Sequence, residues 1–208
     1  MTGKDALQWA VIVGVLALPV GFVGWLAYQG QQEFAALSKQ LAQRGFVVEP
    51  YPEKGLAWSV HGELEGKPFV VQAHEARGAA KERRGWTTAE FPVETAGAVM
   101  YIGRTGPDFL RADGLLGGLL LPDGMVPPRW SEAPAPLNGV WDVYTTPEHG
   151  AVWLGPKAVQ ALLAVDTLGP TAPWIEIRDG HIKVQRPEIV HDERHVLELL
   201  TIGRAFVP

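Results

Sequence analysis

The sequence predicts an α+β protein: one N-terminal transmembrane helix, then a soluble domain of antiparallel β-hairpins in a meander, with three or four helices. Three observations predict it. Trp9 to Tyr28 is uncharged and long enough to cross about 30 Å of hydrocarbon. Leu56 to His74 alternates apolar and polar residues about a Glu65-Gly66 turn, the pattern of a hairpin. Asp192 to Phe206 puts Val196, Leu199, Leu200 and Gly203 on one side of a helix.

The expected organisation is an anchor over residues 1–30, a juxtamembrane helix over 31–45, and an α+β domain over 46–208 with a Pro/Gly-rich connection at 104–138. In the anchor, Trp9 stands at one end and Trp25 and Tyr28 at the other, as an aromatic belt requires. Pro19 should kink the helix. A cleaved signal peptide is the rival reading, but its apolar core would be shorter, and the Trp25-Leu26-Ala27-Tyr28 exit is a poor cleavage site. Ala10, Gly14, Ala17, Gly21 and Gly24 share one helix face, where small residues let helices approach closely in lipid. The expected partners are membrane lipid and either other transmembrane subunits or a second copy. Lys4 before the anchor and Lys39 and Arg44 after it nearly balance, so the side of the membrane stays open.

After the anchor, Phe34, Leu37 and Leu41 follow helical spacing, and Gly45 offers a stop. Phe46 to Pro50 begins an extended segment. Leu56 to His74 is the first hairpin, Arg77 to Gly85 a polar loop, and Trp86 to Glu94 and Ala98 to Gly103 read as two more strands. The first half thus reads as a meander of about four strands behind a helix. The connection from Arg104 to Asn138 is dense in Pro and Gly, with a short helix expected near Asp108 to Leu116. Val140 to Thr145 is a strand, followed by a turn and a short Val152-Trp153-Leu154 piece. Pro156 to Val165 is a helix with Pro at its first turn. Trp174 to Arg178 and His181 to Gln185 form a hairpin on Asp179-Gly180, a type I′ signal.

Two segments, VWDVYTTPEHGAVWLGPKAVQALL from Val140 and WIEIRDGHIKVQRP from Trp174, resemble the end of an uncharacterised bacterial family of membrane-anchored proteins. Val143-Tyr144, Leu154-Gly155-Pro156 and Asp179-Gly180 carry the likeness, over about a quarter of the chain. It implies an anchored α+β domain, with a bacterial inner membrane as the expected location, and is silent on activity.

Composition narrows function. A net charge of −5 argues against a general nucleic-acid binder. With 47% hydrophobic and 20% charged residues the chain is not a disordered tail. No cysteine means no disulfide framework, no thiol nucleophile and no Cys-based zinc site. The six tryptophans after the anchor (Trp58, Trp86, Trp130, Trp141, Trp153 and Trp174) read mostly as packing residues.

Candidate chemistry is sparse. His191-Asp192-Glu193-Arg194-His195 approaches H-E-x-x-H, but Asp192 stands where the catalytic Glu belongs; a helix N-cap is the plainer reading. His61, His74, His149 and His181 are dispersed. Ser38, Ser59 and Ser131 are the only serines, and none lies in G-x-S-x-G. No glycine run has P-loop or Rossmann spacing, so no cofactor is expected. Arg77, Lys81, Arg83 and Arg84 form a basic cluster, read as a solvated loop or a contact with anionic headgroups. Leu115, Leu116, Leu119, Leu120 and Leu121 form an apolar island for the core, the membrane interface or a partner. The expected role is a non-catalytic accessory subunit or assembly factor of a membrane complex. The alternatives are a membrane-tethered binding or sensory module, which a well-formed apolar pocket would favour, and a metal-dependent hydrolase using His191 and His195.

Overall fold

The computed structural model describes residue 25 and residues 28–75, 85–104, 127–165 and 172–208. The chain divides into two units, Met1–Gln40 and Leu41–Pro208. Residues 28–43 are helical (α1), and the chain leaves the helix through Gly45 at φ 84°.

The structure corrects the membrane reading. Among the described residues no helix is long and apolar enough to cross a membrane. The described part of the N-terminal helix beyond Tyr28 carries Gln29, Gln31, Gln32, Glu33 and Lys39, which suit the expected juxtamembrane helix and supply no apolar span. Single-pass membrane localisation is therefore not supported. Of the expected interface residues, Trp25 and Tyr28 are described and are 53% and 59% exposed. Tyr28 accepts a hydrogen bond from the side chain of Gln32, one turn on. Trp9 and the small-residue face of Ala10, Gly14, Ala17, Gly21 and Gly24 lie outside the described residues, as do Arg77, Lys81, Arg83 and Arg84, the helix expected near Asp108, and Leu115, Leu116, Leu119, Leu120 and Leu121.

The second unit is built on an antiparallel sheet of eight strands among the described residues: β1 (Val47–Pro50), β2 (Leu56–Leu64), β3 (Lys67–His74), β4 (Trp86–Pro92), β5 (Met100–Arg104), β6 (Trp141–Tyr144), β7 (Trp174–Arg178) and β8 (His181–Arg186). Three more helices follow β6 or close the chain: α2 (Pro147–Trp153), α3 (Pro156–Leu163) and α4 (Glu193–Phe206). The spatial order is β1-β2-β3-β4-β8-β7-β5-β6. Strands β1 to β4 form a meander, whereas the sequence predicts one that runs from β2 to β5. β5 does not continue it, because the β7–β8 hairpin enters between β4 and β5.

The register builds two different faces, since side chains alternate across a strand. One row runs Val48, Val60, Val71, Ala89, Val184, Ile175, Ile102 and Val143, apolar on all eight strands. The next residues along give the opposite face: Val47, His61, Val70, Glu90, Lys183, Glu176, Tyr101 and Tyr144. The apolar face carries α4, which lies against β3, β4, β8 and α3. Its Val196, Leu199, Leu200, Ile202 and Phe206 are all buried.

Gly203 sets how closely α4 approaches. A Cβ there would stand 2.4 Å from Phe91 Cε2 and 3.3 Å from Val184 Cγ2. Gly203→Ala should therefore destabilise the domain by about 1–3 kcal/mol through overpacking. Urea unfolding should show a lower midpoint, and Phe91→Leu in the same chain should restore part of it.

Candidate functional site

A pocket of about 760 Å³ opens where three segments of the second unit converge. Glu94, Thr95 and Ala96 come from the β4–β5 connection. His149, Val152 and Trp153 come from α2, and Gly155 to Ala158 from the start of α3. Ala205 to Pro208 close it from the end of α4.

Each segment is locally fixed. In the first, Ala98 N–H donates to Thr95 O at 2.8 Å across a turn in which Ala96 and Gly97 have φ of 47° and 77°. Thr95, itself buried, accepts the Gly180 N–H on Oγ1 at 3.2 Å. In the second, Thr146 caps α2, Pro147 occupies its first turn and Glu148 faces its positive end. A Cβ on Gly150 would lie 2.4 Å from the Trp130 ring, so that indole packs directly on the helix backbone. Thr145 Oγ1 donates to Val99 O at 3.0 Å, tying the start of α2 to the strand beside it. In the third, Arg204 Nη1 donates to Val207 O at 2.9 Å and holds the chain beyond α4.

The lining is mostly apolar. Trp153, Phe206 and Val207 are buried against it, and Val152 is 74% exposed at its edge. Its charged or titratable side chains are Glu94, His149 and Lys157, none of which makes an ion pair among the described residues. The turn and short Val152-Trp153-Leu154 piece expected after β6 are replaced by α2, which brings His149, one of the dispersed histidines, to the pocket. The Thr146-Pro147-Glu148 start was the missed signal.

A second polar constellation lies on the opposite face of the sheet. Glu90 and Lys183 pair at 2.8 Å between β4 and β8. Glu176 pairs with Arg178, which also lies 3.3 Å from Asp179. Glu176 is only 3% exposed. Burial raises its carboxyl above the ordinary value, outweighing the attraction of Arg178 and Lys183. Burial likewise raises the Tyr101 hydroxyl, against the pull of Arg178. Glu176 is too enclosed to meet a substrate, whereas Glu90 and Lys183 beside it are only half-buried.

Two apparent catalytic sets dissolve on inspection. Ser59 Oγ lies 3.1 Å from His61 Nε2, and Glu49 Oε2 lies 3.8 Å from that same nitrogen. A relay needs the carboxylate on the far ring nitrogen, and Ser59 is buried. His191 precedes α4, which begins at Glu193, so His191 and His195 do not form a helical i,i+4 pair. Asp192 is the N-cap: it accepts His195 N–H at 2.9 Å and lies 2.5 Å from His195 Nδ1. Among the described residues no group of three or more His, Cys, Asp or Glu could hold a metal ion.

Comparison of the chain with protein families, with curated proteins and with solved structures finds no match.

Two pH dependences follow. Burial alone would raise the Asp192 carboxyl, but the His195 backbone, the His195 ring and Arg186 hold it below its ordinary 3.8. Its contribution is present above 3.8 and is lost as pH falls through the lower folded value. Asp192→Ala should cost about 1 kcal/mol near neutrality, with the difference from wild type vanishing in strong acid. Glu176 has the opposite sign. From its unfolded value near 4.5 up to its raised folded value, the folded state keeps a proton that the unfolded chain releases. Stability should fall as pH rises through that window, and Glu176→Gln should flatten the slope in urea unfolding.

Proposed function

We propose that this protein is a non-catalytic binding module whose ligand occupies the pocket between the 94–96 turn, α2, α3 and the end of α4. The observation that carries this reading is the pocket itself, at about 760 Å³ with apolar walls and a few polar groups. That size and lining match the general anatomy of small-molecule sites. A hydrolase built on His191 and His195 gains no support, because His195 is engaged by the Asp192 cap.

A second reading, an accessory subunit of a larger assembly, is favoured by the β1 edge. β1 ends the sheet, with Val47 58% exposed and Tyr51, just beyond it, 71% exposed. Tyr51 holds φ at 47°, unusual for a bulky residue, and its N–H donates to Ala57 O at 3.0 Å. An extended segment of another chain could add to such an edge through main-chain hydrogen bonds.

The pocket reading is tested with a neutral apolar fluorophore, N-phenyl-naphthylamine, titrated against the full chain. Saturable enhancement is expected, and Val152→Glu should weaken it by about tenfold, because a carboxylate beside the apolar wall opposes an apolar ligand. Binding that never saturates, or that ignores the substitution, would move the function away from this pocket.

A further inference from the structure

We propose that the ligand is a short apolar peptide with both termini free, its carboxylate held by Lys157 and His149 and its ammonium by Glu94; this rests on the pocket reading above. The argument is charge complementarity. The basic groups come from α2 and α3, and the acid from the β4–β5 connection, so the two signs belong to different walls. Neither sign is neutralised by an ion pair among the described residues. A fatty acid would satisfy Lys157 and leave the exposed Glu94 carboxylate without a partner. An alkyl amine would do the reverse. A zwitterion with an apolar body satisfies both.

Thr95 adds an independent observation. It is buried, and it lines the pocket. Its Oγ1 accepts the Gly180 N–H, which leaves its own O–H proton to donate. A backbone carbonyl of the ligand is a suitable acceptor for that proton, and a plain hydrocarbon offers none. Trp153, Phe206, Val207 and Pro156 then receive the apolar side chains.

The test is calorimetric titration of the full chain with trileucine, with its N-acetyl form, its C-terminal amide and the doubly blocked peptide. Blocking either end should weaken binding by about fivefold, the range of a partly exposed ion pair. Lys157→Ala combined with His149→Ala should make the protein indifferent to amidation while it still senses acetylation. Glu94→Ala should do the opposite. Binding of N-phenyl-naphthylamine to each variant reports an intact pocket. Equal binding of all four peptides, or decanoate binding more tightly than trileucine, would overturn the zwitterion and leave the pocket reading standing. A preference lost only on amidation would overturn it in favour of recognition of a carboxylate end. If neither the fluorophore nor any peptide binds, both readings fall.

Discussion

The fold depends on one pairing event: the β7–β8 hairpin enters between β4 and β5. β8 joins β4 through six register pairs and β7 joins β5 through three. Remove the hairpin and the six remaining strands fall into a four-stranded meander and a β5–β6 pair with no hydrogen bonds between them. The hairpin register is pinned by its turn, where Asp179 and Gly180 take φ of 49° and 78°. A slip of one residue would drive Glu176 and Lys183 onto the apolar face and bring Ile175 and Ile177 out of it. The turn also reaches the pocket. Gly180 N–H is received by Thr95 Oγ1 and Gly180 O receives Val93 N–H at 2.9 Å, so the wall carrying Glu94 and Thr95 is tied to the hairpin tip.

The charged row beside that hairpin is a cost the fold carries rather than a gain. Glu176 sits on β7 with burial opposing its charge. Its Oε1 meets Arg178 Nε as an ion pair, although it is not aligned as a hydrogen bond. Buried pairs of this kind roughly break even against their desolvation, while removal of one partner is expensive. Their use here is to distinguish the sheet faces: Glu90, Lys183 and Glu176 occupy adjacent strands in one row, each beside an opposite charge. The apolar row one residue away offers no such partners, so the wrong register leaves charges unpaired.

What was legible in the sequence was local. Glu65-Gly66 and Asp179-Gly180 announced their hairpins because the turn geometry is written in two residues. Pro156 and the Val196 to Gly203 spacing announced α3 and α4. The strand order was not legible, because Thr87 pairs with Arg186 and Ile102 with Ile175, and no short-range pattern records such partners. The anchor reading rested on the apolarity of Trp9 to Tyr28, whereas among the described residues no helix is long and apolar enough to cross a membrane, and residues 29–40 are amphipathic with Leu37 buried. The pocket was hidden for a different reason. Glu94, Lys157 and Phe206 have no shared motif, and only tertiary folding makes them neighbours. Thr146-Pro147-Glu148 was the one local clue to it, spoken by a helix of seven residues, too short for periodicity to declare.

The late place of β7 and β8 in the chain has a consequence for synthesis. A ribosome delivers β1 to β4, then β5 and β6, before either central strand exists. Until the hairpin emerges, the inner edges of β4 and β5 carry ladder groups with no strand to receive them, in the middle of what will become the sheet. The strands made after the other six are thus the ones that join two waiting halves, and the sheet closes from its centre. Slow elongation between β6 and β8 prolongs the interval in which those edges are open to wrong partners.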